Sequence, residues 1–116
     1  MRFDYDFYST DVLELAPALL GQYLVCVSEK GIVNRYVITE TEAYRGEEDL
    51  ACHASKGRTT RTEIMYDKGG KLYIYLIYGM YWMMNVVGGG KNQPQAALIR
   101  GFSNLTDQVN LRALLV

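Results

Sequence analysis

The uncharged run between Lys71 and Lys91 constrains the fold more than any other part of the sequence. Residues 72–90 carry no charged side chain, and their number is close to what an apolar helix needs to span a bilayer. The run nevertheless contains four tyrosines, Asn85 and a triple glycine at 88–90. Aromatic residues alternating around a glycine are typical of two strands joined by a turn. We therefore predict strands at 72–78 and 81–87 and no membrane span.

A capped helix is predicted near the N-terminus. Asp11 is followed three residues later by Glu14 and then by an apolar run, which is the pattern of a helix start. Gly21 marks the approximate end of this helix, and Pro17 should shorten or kink it.

Three further strands are predicted on either side of the central run. Residues 23–28 and 33–44 alternate or are apolar, and Lys30-Gly31 between them marks the turn of a hairpin. Residues 96–100 form a last apolar strand. One helix with mostly antiparallel strands predicts an α+β single domain built on a curved sheet.

Composition limits the class of protein. The chain has 116 residues, with 12 basic and 13 acidic side chains and a net charge of −1. This balance excludes a protein whose whole surface is basic. Cys26 and Cys52 are too few for a disulfide framework, and His53 alone cannot form a multi-histidine metal site. Since no apolar signal opens the sequence, we expect an intracellular protein, in cytoplasm, nucleoid or nucleus, that is not secreted.

Two carboxylates could carry acid or base chemistry. Glu40 and Glu42 are two apart in one predicted strand, which places their Cα atoms roughly 6.6 Å apart on one face. Strict alternation adds Tyr36, Ile38 and Tyr44 to that face. Paired carboxylates can serve in glycosidic cleavage, although exposed glutamates on a wet strand face are common.

Tyrosines of the central run are candidates for ring stacking. Tyr73 and Tyr75 share a face by strand periodicity, while Tyr78 precedes Gly79 at the predicted hairpin tip. Such a tip could insert an aromatic ring into a base stack. Packing between neighbouring strands is the ordinary alternative.

Several other polar residues leave two interpretations open. His53 could form a pocket hydrogen bond or lie on the surface, and Asn85 in an apolar strand could be structural or contact a ligand. Arg100 at a strand end could bind a carboxylate or phosphate, or be solvated. The polar loop 45–71 also holds a basic cluster, which comprises Lys56, Arg58 and Arg61.

Together these segments resemble the 3-methyladenine DNA glycosylases of the alkyladenine glycosylase family. The resemblance is carried by ETEAY at 40–44, Glu48-Asp49 with His53, Arg61, Met65, YIYLIYGMYWMMN at 73–85, and Leu98 to Arg100. It extends over about residues 18–100 and fades after Arg100. We therefore interpret residues 1–116 as a partial domain of this type in which the family's C-terminal part is absent.

The resemblance implies base-excision repair by a monofunctional N-glycosylase. Such an enzyme flips a damaged purine, of the 3-methyladenine, 7-methylguanine or hypoxanthine class, out of double-stranded DNA and hydrolyses its glycosidic bond. Glu42 would activate the attacking water, and Arg100 would hold that water or a phosphate. Tyr78 would fill the gap in the duplex. The base pocket would comprise Tyr44, His53, Tyr75, Asn85 and Leu98, and the DNA backbone would contact Lys56, Arg58 and Arg61.

The same resemblance implies neither a Schiff base nor a metal or organic cofactor, because no lysine or cofactor ligand lies among the matched pocket residues. A damaged-DNA-binding domain without catalysis, or an inactive remnant, is the alternative. A hydrolase of free nucleosides is a third interpretation. Protein partners are not indicated by the sequence.

Overall fold

A six-stranded sheet forms the frame of the described residues, 3–104 and 113–115, in this computed structural model. Its strands in chain order are β1 Tyr23–Val27, β2 Val33–Arg45, β3 Leu72–Ile77, β4 Tyr81–Val87, β5 Gln95–Asn104 and β6 Ala113–Leu115. Their spatial order is β3-β4-β5-β2-β1-β6, and every pairing is antiparallel except that of β1 with β6. The predicted α+β class with a mostly antiparallel sheet is confirmed. Residues 105–112, within the part where the resemblance fades, lie outside the described residues.

Two α-helices and two 3₁₀ helices accompany the sheet in the described part of the chain. They are α1 Tyr5–Tyr8 and α2 Val12–Leu19, followed by 3₁₀ helices at His53–Lys56 and Glu63–Tyr66. The predicted cap of α2 is confirmed, because the Asp11 carboxylate accepts a hydrogen bond from the Leu13 amide at 2.9 Å. Within the described ranges, no helix is both long and apolar enough to cross a membrane.

Both faces of the sheet bury apolar side chains. On one face α2 covers a core whose fully buried members include Leu15, Ile38 and Val86. The loop that carries the two 3₁₀ helices contributes to a second core, in which Met65 packs with Val87. The first core anchors the sheet, and the face that carries the second core holds the candidate site.

The alternation predicted for β2 is wrong in the first half of the strand. Tyr36 and Ile38 pack in the α2 core instead of sharing a face with Glu42. Thr41 also points to α2, where its hydroxyl donates to a helix carbonyl at 2.8 Å. Two residues three positions apart therefore share one face, so the alternation is interrupted between Ile38 and Thr41. The β2–β5 register is irregular at this place, opposite Gly101. Irregular pairing of this kind re-aims side chains.

Candidate active site

Four side chains form a row across β3, β4, β5 and β2, on the face of the sheet opposite α2. The register pairs Tyr73 with Asn85, Asn85 with Leu98, and Leu98 with Glu42. Directly paired residues of neighbouring strands project to the same side of a sheet. Strand pairing alone therefore brings together residues that are far apart in the sequence.

The Glu42 carboxylate is held by hydrogen bonds at both oxygens. Its Oε1 accepts from the Tyr44 hydroxyl at 2.5 Å, and its Oε2 accepts from Nη1 of Arg100 at 2.8 Å. The Glu42 side chain is 34% exposed, and each carboxylate oxygen has a further lone pair available. The arrangement fixes the carboxylate and leaves room for a water molecule to bind.

Tyr44 and Glu40, each two residues from Glu42 on β2, are suited to different roles. The hydrogen bond to the Glu42 carboxylate, together with burial, raises the pKa of Tyr44 to about 12. The hydroxyl therefore remains protonated near neutral pH and acts as the donor. Glu40 lies farther from the arginine, with 3.8 Å between its Oε2 and Nε of Arg100. Of the two carboxylates, Glu42 is therefore the one that Arg100 and Tyr44 hold in a defined position.

Tyr44 also lines a cavity of about 230 Å³. The lining comprises Tyr44, Ala51, His53, Met65, Tyr73, Tyr75, Asn85 and Ala96. Most of these residues are aromatic or aliphatic in type, but tyrosine hydroxyls, an imidazole and one amide also reach the cavity, and none of the lining residues is a carboxylate. A small cavity that is walled by aromatic rings and offers hydrogen-bonding groups is suited to a flat heteroaromatic ligand. Leu98 is buried in the row between Asn85 and Glu42 and is not among the lining residues.

Three aromatic residues form the wall of the cavity. The ring centroids of His53 and Tyr75 are 4.4 Å apart, and those of Tyr73 and Tyr75 are 5.2 Å apart. Nδ1 of His53 and the Tyr73 hydroxyl oxygen share a hydrogen bond of 2.7 Å. Asn85 supports the same strand, because its Nδ2 donates to the Tyr73 carbonyl at 3.2 Å. The wall is therefore fixed by contacts within itself.

His53 is expected to titrate at unusually low pH. Burial, and after it the positive charges of Arg61 and Lys56, lower the pKa of His53. As the chain has one histidine, its imidazole protons give an unambiguous NMR titration, with a midpoint below the ordinary value of about 6.5. The free energy of unfolding should then decrease as pH falls below about 6.5, since the unfolded chain binds the proton more tightly. A midpoint at or above the ordinary value would contradict this.

The tip of the β3–β4 hairpin presents an aromatic ring to solvent. Tyr78 is 86% exposed, and it has a φ of 52° next to Gly79 with a φ of 66°. The Met80 amide donates to the Ile77 carbonyl at 3.1 Å and closes the turn. Positive φ at both central positions is characteristic of a type I′ turn. The predicted hairpin is confirmed, and Tyr78 belongs to its turn rather than to β3.

The three predicted DNA-backbone cations have different surroundings. Arg58 binds Glu63 through two nitrogens, at 2.7 Å and 2.8 Å, and lies over the Tyr66 ring. The Arg61 guanidinium lies over the ring of Tyr75, and Lys56 is exposed. Both arginines line a groove of about 1140 Å³ beside β3. Their contacts with DNA stay a prediction.

A family model described as methylpurine-DNA glycosylase matches residues 6–113. This chain belongs to that family. The match extends beyond the residues on which the resemblance was based, 18–100, at both ends.

Curated relatives carry a related name. One from Natranaerobius thermophilus is 39% identical, over 97% of this chain and 60% of its own length. Those from Borrelia garinii subsp. bavariensis and Legionella pneumophila (strain Corby) are 45% and 44% identical, each over 94% of this chain. All three are provisionally named 3-methyladenine DNA glycosylases. The chain spans about 60% of the length of these relatives.

In this methylpurine-DNA glycosylase family member, sequence reasoning did not assign some pocket residues. Tyr73 had a usable signal, because strand periodicity placed it on the face of Tyr75. Ala51 and Met65 come from the loop before β3, where no periodic pattern predicts which residues border the cavity. Ala96 enters the cavity only through the pairing of β5 with its neighbours.

Proposed function

We propose that this chain hydrolyses the N-glycosidic bond of a damaged purine in double-stranded DNA, as a step of base-excision repair. The observation that carries the proposal is Glu42, held by Tyr44 and Arg100 beside a cavity lined with aromatic rings. The family match and the names of the relatives support the same chemistry.

In the proposed reaction Glu42 is the general base. A water molecule hydrogen-bonded to its carboxylate attacks C1′ of the damaged nucleotide and passes a proton to Glu42. The bond between C1′ and the purine nitrogen breaks, and its electron pair leaves with the base. A purine that carried a positive charge leaves as a neutral molecule. None of the cavity-lining residues is a lysine, so water is the nucleophile and an abasic site is the product.

The aromatic wall would receive the flipped base. Stacking on Tyr75 and its neighbour His53 should stabilise an extruded base by about 1 to 3 kcal/mol, and a cationic alkylated purine also gains from the π face of tyrosine. A damaged base is easier to unstack than a paired one. Tyr78 would occupy the gap that the base leaves in the duplex.

Base release by the 116-residue chain itself tests the proposal. Excess protein is mixed with duplexes that carry hypoxanthine, 7-methylguanine or no lesion, and released base is measured in a single turnover. We expect release from one or both lesion duplexes, none from the undamaged duplex, and a strand that breaks only after alkali treatment. Binding of damaged duplex without release would instead indicate a damage-binding domain. Cleavage of free nucleosides without duplex binding would indicate a nucleoside hydrolase.

A further inference from the structure

We propose that Arg61 sets the charge preference of the base pocket, favouring purines that are neutral before cleavage over purines that carry a positive charge. This inference rests on the proposed function and concerns the class of lesion that the pocket accepts.

The position of Arg61 is the first observation. Its Cζ lies 5.5 Å from the ring centroid of Tyr75, whose ring neighbours in the wall are His53 at 4.4 Å and Tyr73 at 5.2 Å. Arg61 borders the groove beside β3, which shares Tyr73 and Tyr75 with the cavity. Arg61 is exposed, and the ion pairs of the described residues do not include it. Its charge is therefore not compensated by a carboxylate at the pocket wall.

The nearby carboxylates are paired with other groups. Glu63 binds Arg58, with 2.7 Å between Oε1 and Nη2, and Glu42 binds Arg100.

The charge of Arg61 affects the pKa values of two side chains of the wall, His53 and Tyr73. Burial lowers the pKa of His53 and Arg61 lowers it further, whereas burial raises the pKa of Tyr73 and Arg61 opposes that rise. The wall is thus exposed to a positive field.

The loop around Arg61 is held by a network of hydroxyl groups. Thr62 is buried, and its Oγ1 donates to the Gly57 carbonyl at 3.0 Å and accepts from the Thr59 amide at 2.9 Å. In return, the Thr62 amide donates to Oγ1 of Thr59 at 3.2 Å. These bonds fix the backbone next to Arg61, and from this backbone the guanidinium lies over Tyr75.

A cation at this wall acts differently on the two classes of purine. Its repulsion offsets the attraction between the Tyr75 ring and a base that is already cationic. A neutral purine takes the electron pair of the breaking C1′–N bond and becomes an anion, which Arg61 stabilises before the base gains a proton from water. The oxygen of the attacking water bonds to C1′ and its proton passes to Glu42, so the overall reaction is hydrolysis.

The ratio of two rate constants tests this proposal. Single-turnover base release is measured for duplexes with hypoxanthine, which is neutral, and with 7-methylguanine, which is cationic. Arg61→Gln should lower the hypoxanthine-to-7-methylguanine ratio by about tenfold, and Arg61→Lys should keep most of it. Arg58→Gln removes the same charge from the same loop, at an arginine that pairs with Glu63 and lies over Tyr66 instead of Tyr75, and should leave the ratio unchanged. Equal loss for both lesions with a shallower salt dependence would show a phosphate contact instead and overturn the proposal.

A measurement without DNA checks the electrostatic premise. In Arg61→Gln the NMR titration midpoint of His53 should rise towards the ordinary histidine value, and an unchanged midpoint would overturn the proposal. If the wild-type chain releases neither base, the proposed function fails by itself. The charge preference is then measured as the ratio of dissociation constants for the two lesion duplexes, where the same tenfold shift is expected and its absence overturns the inference.

Discussion

Glu42→Gln is expected to reduce single-turnover base release by a factor on the order of 10³, because a positioned general base contributes about 10² to 10⁴ to a rate. The amide keeps the size of the side chain and can still accept from Tyr44, but it cannot take a proton from water. Binding of damaged duplex should persist, since the cavity lining does not include this residue. Release is measured with excess protein, and binding is measured by fluorescence anisotropy.

The matched control is Glu40→Gln, the same substitution two residues earlier in β2. Glu40 is 63% exposed and contacts Arg100 only at 3.8 Å, so its loss should change the rate less than a few-fold. The fold should survive both substitutions, because Arg100 is itself 63% exposed and keeps contact with solvent. Thermal unfolding verifies this. Equal rates for Glu42→Gln and the wild type would disprove the assigned role of Glu42.

Tyr78→Ala is expected to weaken the complex with damaged duplex by about 5- to 150-fold, which corresponds to a stacking contribution of about 1 to 3 kcal/mol. The ring is 86% exposed, so its removal leaves no cavity in either core. The circular dichroism spectrum should therefore be unchanged while the dissociation constant rises. Single-turnover release at saturating protein should also slow, because the flipped state loses the group that fills its gap.

Two further variants separate stacking from general hydrophobic attraction. Tyr78→Phe keeps the ring and should bind nearly as the wild type does. Trp82→Ala removes another exposed ring of the hairpin, 71% exposed, from within β4 and outside the turn. Its effect on the dissociation constant should be clearly smaller. If Tyr78→Ala and Trp82→Ala weaken binding equally, the hairpin contributes an apolar surface and Tyr78 has no specific place in the duplex.

Local signals allowed the hairpin and the helix cap to be predicted. Alternating tyrosines with Gly79 define β3, the turn and β4, and the Asp11 side chain caps α2 through an amide two residues away. The face of Tyr36 and Ile38 could not be predicted in this way. It depends on an irregularity opposite Gly101, some 60 residues farther along the chain, which appears only when β2 and β5 pair.

The candidate site was likewise predictable from the sequence only in part. The resemblance identified Glu42 and Arg100, but their contact depends on a strand pairing that no local pattern indicates. His53 and Met65 belong to short 3₁₀ helices in a stretch without periodicity, so the inward direction of Met65 is a result of tertiary packing. Tyr73 was predictable in its direction, whereas its hydrogen bond to His53 was not.

The row of Tyr73, Asn85, Leu98 and Glu42 links correct folding to correct chemistry. A slip of β2 by one residue against β5 would turn Glu42 towards the apolar core under α2, where an unpaired carboxylate is strongly disfavoured. Such a misfolded chain would lose stability together with its proposed general base. One strand register therefore determines both features: a molecule that has buried its core correctly has also assembled its candidate catalytic row.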